Sequence, residues 1–273
     1  MQRSRLLDTT GFNQLAAGRD GFFLYNRNDT YVGRSIETYG EFSGLEMAMF
    51  RAICRPGNAV IEVGANIGAH TVGLARLVGD QGRILAFEPQ RLVYMTLCAN
   101  VALNSLTNVD CYWAAMGEQE GSVVVPSADP TREANFGGIG LGDAIVGPRV
   151  SCFTLDRFTN LPRLDFVKID VEGMEAQVLR GGQQLLQKFK PILYVENDRV
   201  ESSESLMHLI AGSGYRLFWH LPRLFNPDNY YGVRENIFDN TVSCNVLCVH
   251  RDSDFVAPGV EEIVDFSRHP YRD

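Results

Sequence analysis

From Ala59 onward the chain alternates short apolar runs with longer stretches of helical spacing, and that alternation leaves few folds open. AVIEV is followed by a helix predicted over about 66–78, a GDQG turn, RILAF, a helix over about 92–103, and VDCYW. DFVKI, a helix over about 174–188, PILYV and a helix near 203–212 repeat the scheme. Short strands alternating with helices pair in parallel through right-handed crossovers, which gives an α/β fold of Rossmann-like type. YRLFW and VSCNVLCV follow with almost nothing helical between them, so the last strand is expected to run antiparallel. The sum is a seven-stranded, mostly parallel sheet with helices on both faces.

Before the alternation, residues 21–40 read as short strands and turns, and 41–54 as a helix stopped by Arg55-Pro-Gly-Asn58. A chain of 273 residues, 45% hydrophobic, fits one compact unit: an N-terminal section, 1–54, packed on a main domain, 55–273. The net charge of -8 argues against a phosphate-neutralising surface, so no nucleic acid partner is expected. No apolar run reaches the roughly 18 to 20 residues of a membrane helix, and MQRSRLLDTTGFNQ lacks the apolar stretch of a signal peptide. A cytoplasmic protein without membrane contact is expected. The six cysteines are scattered, without C-x-x-C or zinc spacing, and read as free thiols.

In such sheets the ligand lies beyond the carboxyl ends of the strands, where Glu62-Val-Gly64-Ala-Asn66-Ile-Gly68 leaves the first strand. Glycines let the backbone turn sharply and approach a ligand, but G-x-x-x-G is not the dinucleotide pattern G-x-G-x-x-G. An acid at Glu62 repels a pyrophosphate and attracts an ammonium group, which suits S-adenosylmethionine. RILAF ends at Glu88, where an acid commonly accepts hydrogen bonds from the ribose hydroxyls of an adenosine. The plain alternative makes Glu62 a surface acid, the glycines turn residues and Glu88 a helix cap.

EVGANIG, AFEP and Lys168-Ile-Asp-Val-Glu-Gly-Met-Glu175 followed by VLRGG resemble the FkbM-type S-adenosylmethionine-dependent methyltransferases, over roughly residues 45–200. The resemblance implies a class I methyltransferase fold and O-methylation of a hydroxyl on a sugar, glycan or natural product, within biosynthesis. By position it implies that Glu62, Gly64, Asn66 and Gly68 surround the methionine end, Glu88 the ribose, and Ala115 and Met116 the adenine. Asp170 would face the cofactor from the tip of the fourth strand.

Methyl transfer to a hydroxyl needs alignment and a way to remove the proton. Asp170, Glu196 and Asn197 stand at neighbouring strand ends, resembling the ligands of metal-dependent catechol-type O-methyltransferases, and three oxygens there suit Mg²⁺. The competing reading gives Asp170 to the cofactor, makes Glu196 a hydrogen-bonded carboxylate, and binds no ion. His220, after YRLFW, is the first candidate for a protein base, against a plain loop histidine. Lys168 is expected to form a structural ion pair with Glu172 or Glu175. Two long irregular segments, 126–149 and 220–241, read as binding loops or disorder. In the second, Phe225, Tyr230, Tyr231 and Phe238 either stack on a polyhydroxylated ring or pack among themselves. FGGIGLG, 136–142, is a mobile lid or a flexible turn. A small-molecule or saccharide acceptor follows from the leading reading. The alternatives are an N-methyltransferase, a nicotinamide-dependent oxidoreductase, and a noncatalytic module that retains the fold.

Overall fold

A computed structural model describes residues 5–7, 10–140 and 146–272. Its N-terminal part is an antiparallel sheet of β1 (Arg5–Leu7), β2 (Asn13–Ala17) and β3 (Phe22–Asn26), then α1 (Val32–Tyr39) and α2 (Gly44–Ile53). The expectation of strands and turns through residue 40 is therefore wrong in its second half. Val32, Ile36 and Tyr39 recur at helical spacing and are buried, and Gly40 ends the helix in the left-handed region at φ 69°.

The alternating part follows as β4 (Ala59–Val63), α3 (Ala69–Val78), β5 (Arg83–Phe87), α4 (Arg91–Leu103) and β6 (Val109–Tyr112). A small second sheet of β7 (Ala114–Met116), β8 (Gly121–Val124) and β9 (Arg149–Phe153) interrupts it. The main series resumes with β10 (Phe166–Ile169), α5 (Glu175–Arg180), α6 (Gln183–Phe189), β11 (Ile192–Glu196), α7 (Val200–Gly212), β12 (Tyr215–His220) and β13 (Asn245–His250). The helix expected over 174–188 is two helices, because Gly181 and Gly182 fall in its middle with Gly117 and Leu155 packed against them.

The main sheet has seven strands in the order β12-β13-β11-β10-β4-β5-β6, and only β13 runs antiparallel to its neighbours. This is the seven-stranded, mostly parallel sheet that the resemblance implies, and its switch point falls between β4 and β10. Period-two alternation divides β4 between two cores. Ile61 and Val63 join Val178, Leu185 and Met207 of α5, α6 and α7, whereas Val60 joins Phe50, Leu74 and Leu97 of α2, α3 and α4. Phe50, fully buried on Phe166 and Tyr194, contributes about 1.5–3 kcal/mol by burial. No helix among the described residues is long and apolar enough to cross a membrane. All six cysteines are free, as expected.

The N-terminal sheet is held on α4 by polar side chains as well as by apolar packing. Asn100, fully buried, donates to Leu24 O at 3.0 Å and Ile67 O at 2.7 Å and accepts from Leu24 N at 2.6 Å. Asn104 brackets Phe22 in the same way, accepting from its N–H at 2.9 Å and donating to its carbonyl at 2.7 Å. Substituting Asn100→Ala strands three backbone groups, so the folded state is expected to lose about 2–4 kcal/mol. A urea midpoint unchanged by this substitution would show that the bridge does not hold the two parts together.

Candidate functional site

A cavity of about 310 Å³ opens at the carboxyl ends of β4, β5, β10 and β11. Its floor is the exit from β4. Gly64 has φ +81°, and a Cβ there would lie 1.8 Å from the carbonyl oxygen of Asp170. Only glycine lets the β4 and β10 tips come this close. Asn66 follows at φ 51°, its side-chain oxygen accepting from Ile67 N at 2.7 Å. Both line the cavity, but Gly68 does not; it caps α3 at φ 83°, packed beneath Leu97, and so shapes the loop from behind.

Glu62 and Lys168 are register partners on adjacent strands, and both are almost wholly buried while lining the cavity. Lys168 Nζ lies 2.7 Å from Asp170 Oδ2. Burial opposes the lysine charge, yet Asp170, Glu62 and Glu46 together hold its pKa above the ordinary value. Burial alone would raise Asp170, but Lys168 keeps it below the usual carboxylate range. For Glu62 burial prevails, pushing the carboxyl up to about 7 against Lys168 and the Thr71 hydroxyl, which donates to it at 2.6 Å. The predicted partners of the lysine are engaged elsewhere: Glu172 pairs with Arg199 at 2.8 Å, and Glu175 accepts from Val171 N and Gly173 N. Period two puts Lys168 and Asp170 on one side of β10, which decides the pairing.

Across the floor, Glu88 accepts from Asn66 N at 3.0 Å and from Gln90 N at 2.8 Å, tying the β4 exit to the start of α4. Burial pushes it up to about 7 despite both donors. Ala115 and Met116 line the wall beside it. Gln90 Nε2 donates to Phe136 O at 2.7 Å, and Gly137, Gly138 and Ile139 lie along the same wall. Leu141 and Gly142 of the predicted lid are outside the described residues.

Toward β11, Asp170, Glu172 and Glu196 bring carboxylate oxygens within 4.8 Å of one another. Burial, then Asp170, raises Glu196 well above the ordinary range, opposite in direction to Asp170, which Lys168 holds below it. Burial and Asp170 push Glu172 up to about 7. The third predicted ligand, Asn197, is not on the wall: its amide donates to Ser203 at 2.9 Å in the protein interior. Residues on either side of a strand end point to opposite faces, so Glu196 and Asn197 do not converge.

His220 is also misplaced by the sequence reading. It ends the edge strand β12, outside the cavity, with Nδ1 at 2.8 Å from the Tyr194 hydroxyl, and burial lowers it to about 4. Three of the four aromatics of 220–241 pack on the N-terminal part: Phe238 stacks on Tyr31 and packs against Tyr39, Phe225 packs on Tyr39, and Tyr231 donates to Ala17 O, whereas Tyr230 is exposed. The roof of the cavity is instead Tyr31, Phe42 and Glu46 from the N-terminal part, with Leu224 and residues 241–243. Glu46 and His70 escaped sequence reasoning. The available signal was an acid within the apolar run GLEMAMFRAI of α2 and a histidine directly after the glycine loop.

A family model for the methyltransferase FkbM domain matches residues 62–217. "Methyltransferase 1" of Beauveria bassiana is 27% identical over 146 residues, 45% of this chain and 57% of that protein. "Methyltransferase sdnD" of Sordaria araneosa is 28% identical over 155 residues, 45% of this chain and 59% of that protein. The chain thus spans less than two thirds of either relative. A crystal structure of a methyltransferase FkbM from Methylobacillus flagellatus superposes with a TM-score of 0.47 and 16% identity, over 80% of this chain and 55% of that one.

Lys168→Met removes the one cation among these acids. Stability at pH 8 is expected to fall by about 2–4 kcal/mol, less than for a fully buried pair because Asp170 is 37% exposed. Glu62, raised in the fold above its unfolded value, favours folding when protonated, so the deficit should shrink as pH falls through about 7 toward 5. Thermal melts at pH 5 and pH 8 test this, and a deficit that grows on acidification would refute it.

Proposed function

Since this chain belongs to the FkbM methyltransferase family, we propose that it transfers the methyl group of S-adenosylmethionine to a hydroxyl oxygen of a sugar, glycan or other natural product. The carrying observation is the cavity floor. Gly64 brings bare backbone to the ligand, Glu62 stands ready for an ammonium, and Glu88 keeps acceptor capacity for ribose hydroxyls beyond its two N–H donors. Among the described residues the wall has no arginine, and Lys168 is already paired with Asp170, which disfavours the diphosphate of a nicotinamide cofactor.

The acceptor hydroxyl lies near Asp170 in this reading. Its oxygen attacks the methyl carbon, the sulfur–methyl bond breaks toward sulfur, and the hydroxyl proton passes to Asp170, leaving a methyl ether and S-adenosylhomocysteine. Lys168 holds Asp170 below the usual carboxylate range for that step, and Glu196, raised by burial, stands beside it. A divalent cation fits these residues poorly. Lys168 and Arg199 already compensate Asp170 and Glu172, and Asn197 is turned away.

Two experiments test the proposal. Because only ionised Glu62 attracts the ammonium, affinity for S-adenosylmethionine should rise as pH increases through about 7 and then level off. Calorimetry should find Glu62→Gln weaker by about ten- to a hundredfold at pH 8 and nearly flat with pH; NAD binding more tightly than S-adenosylmethionine would defeat the reading. Secondly, exhaustive chelation should leave turnover unchanged, while Asp170→Asn lowers kcat by about 10²–10⁴-fold without weakening S-adenosylhomocysteine binding.

A further inference from the structure

The acceptor half of the cavity has an unusual balance of charge. Glu46, Asp170, Glu172, Glu196 and Asp198 line it, against Lys168 alone. Lys168 is bound to Asp170 at 2.7 Å, and Arg199, half-exposed outside the wall, bridges Glu172 at 2.8 Å and Asp198 at 3.3 Å. Among the described residues no lysine or arginine lies within ion-pair distance of Glu46, on which Lys168 acts only through space while burial raises the carboxyl above the ordinary range. Its Oε1 accepts from the neutral amide of Asn245 at 2.9 Å, and its Oε2 lies 3.5 Å from Nε2 of His70.

His70 gives a second and independent indication. It is 5% exposed, it lines the cavity, and its Nε2 has no hydrogen-bond partner. Burial, and then the charge of Lys168, push it down to about 3, so the ring is neutral. A neutral imidazole nitrogen and a carboxylate oxygen, too far apart to bond well, form a pair that an inserted N–H donor satisfies together. Phe42, with its ring 5.6 Å from that of His70, and Tyr31 add aromatic faces on the same side.

Resting on the methyl-transfer reading above, we infer that the acceptor is a hydroxylated amine whose ammonium group is held at Glu46 and His70, and that phosphorylated acceptors are excluded. An ammonium meets a carboxyl and an imidazole nitrogen there, whereas a phosphate meets five carboxyl groups and a lysine already bound to Asp170, and the hydroxyl to be methylated is left facing Asp170.

The test uses the full chain saturated with S-adenosylhomocysteine and three small probes: trans-2-aminocyclohexanol, cyclohexane-1,2-diol and cyclohexyl phosphate. Calorimetry should find the amine bound at least about tenfold more tightly than the diol, with the phosphate weakest. Glu46→Gln should remove most of that preference while leaving S-adenosylhomocysteine affinity unchanged, and Asp198→Asn, at a more exposed position, should reduce it by a smaller factor. The inference is overturned if diol or phosphate binds as well as the amine, if the amine does not bind, or if Glu46→Gln weakens S-adenosylhomocysteine instead, which would assign Glu46 to the methyl donor. Failure of the underlying reading looks different: the protein then takes up no S-adenosylhomocysteine, or methylated aminocyclohexanol carries the new carbon on nitrogen by NMR while the charge preference persists.

Discussion

The site depends on one buried cation. Lys168 sits in the middle of a parallel strand, where an uncompensated ammonium would be very costly, and it is tolerated because Glu62, Asp170 and Glu46 surround it. The dependence is mutual. Without Lys168, burial would raise Asp170 as it raises Glu196 and Glu172. A motif that reads as an alternation of charged and apolar residues is thus a charge-balanced unit spanning β4 and β10.

Local backbone geometry makes that unit possible. Glu62 and Lys168 are neighbours only because the two strands pair in register, and the strands stay paired to their tips because Gly64 lets Asp170 O approach. Glu88 extends the arrangement by fastening the turn at Asn66 to the beginning of α4. Its role as a structural tie and its place on the cavity wall are compatible, since a carboxylate has more lone pairs than these two N–H groups use.

Period and spacing made the main sheet legible, down to its antiparallel last strand, because alternation of strand and helix is a consequence of burying both faces. The β4 loop, Glu62, Glu88 and Asp170 were legible for the same reason: position along a strand decides which residues reach its carboxyl end. Two kinds of feature were not. Short elements such as α1 and the β7-β9-β8 sheet carry too few periods to distinguish from loops. Side-chain direction at irregular positions also escaped, so Asn197, one residue past β11, was assigned to a site it turns away from, and His220 was assigned to a cavity it does not reach. For the aromatics of 220–241 composition left ligand stacking and internal packing both open, and Phe225 and Phe238 take the second course against Tyr39 of α1.

The roof over the acceptor side comes from α1, α2 and residues 224–243, all of which lie outside the 62–217 segment that the family shares. The covering elements and the cavity floor therefore come from different stretches of polypeptide, although His70, Asp170, Glu172, Glu196 and Asp198 of the matched segment also line the opening. Substitutions in these covering elements therefore reshape the mouth of the cavity while leaving the paired tips of β4 and β10 in place.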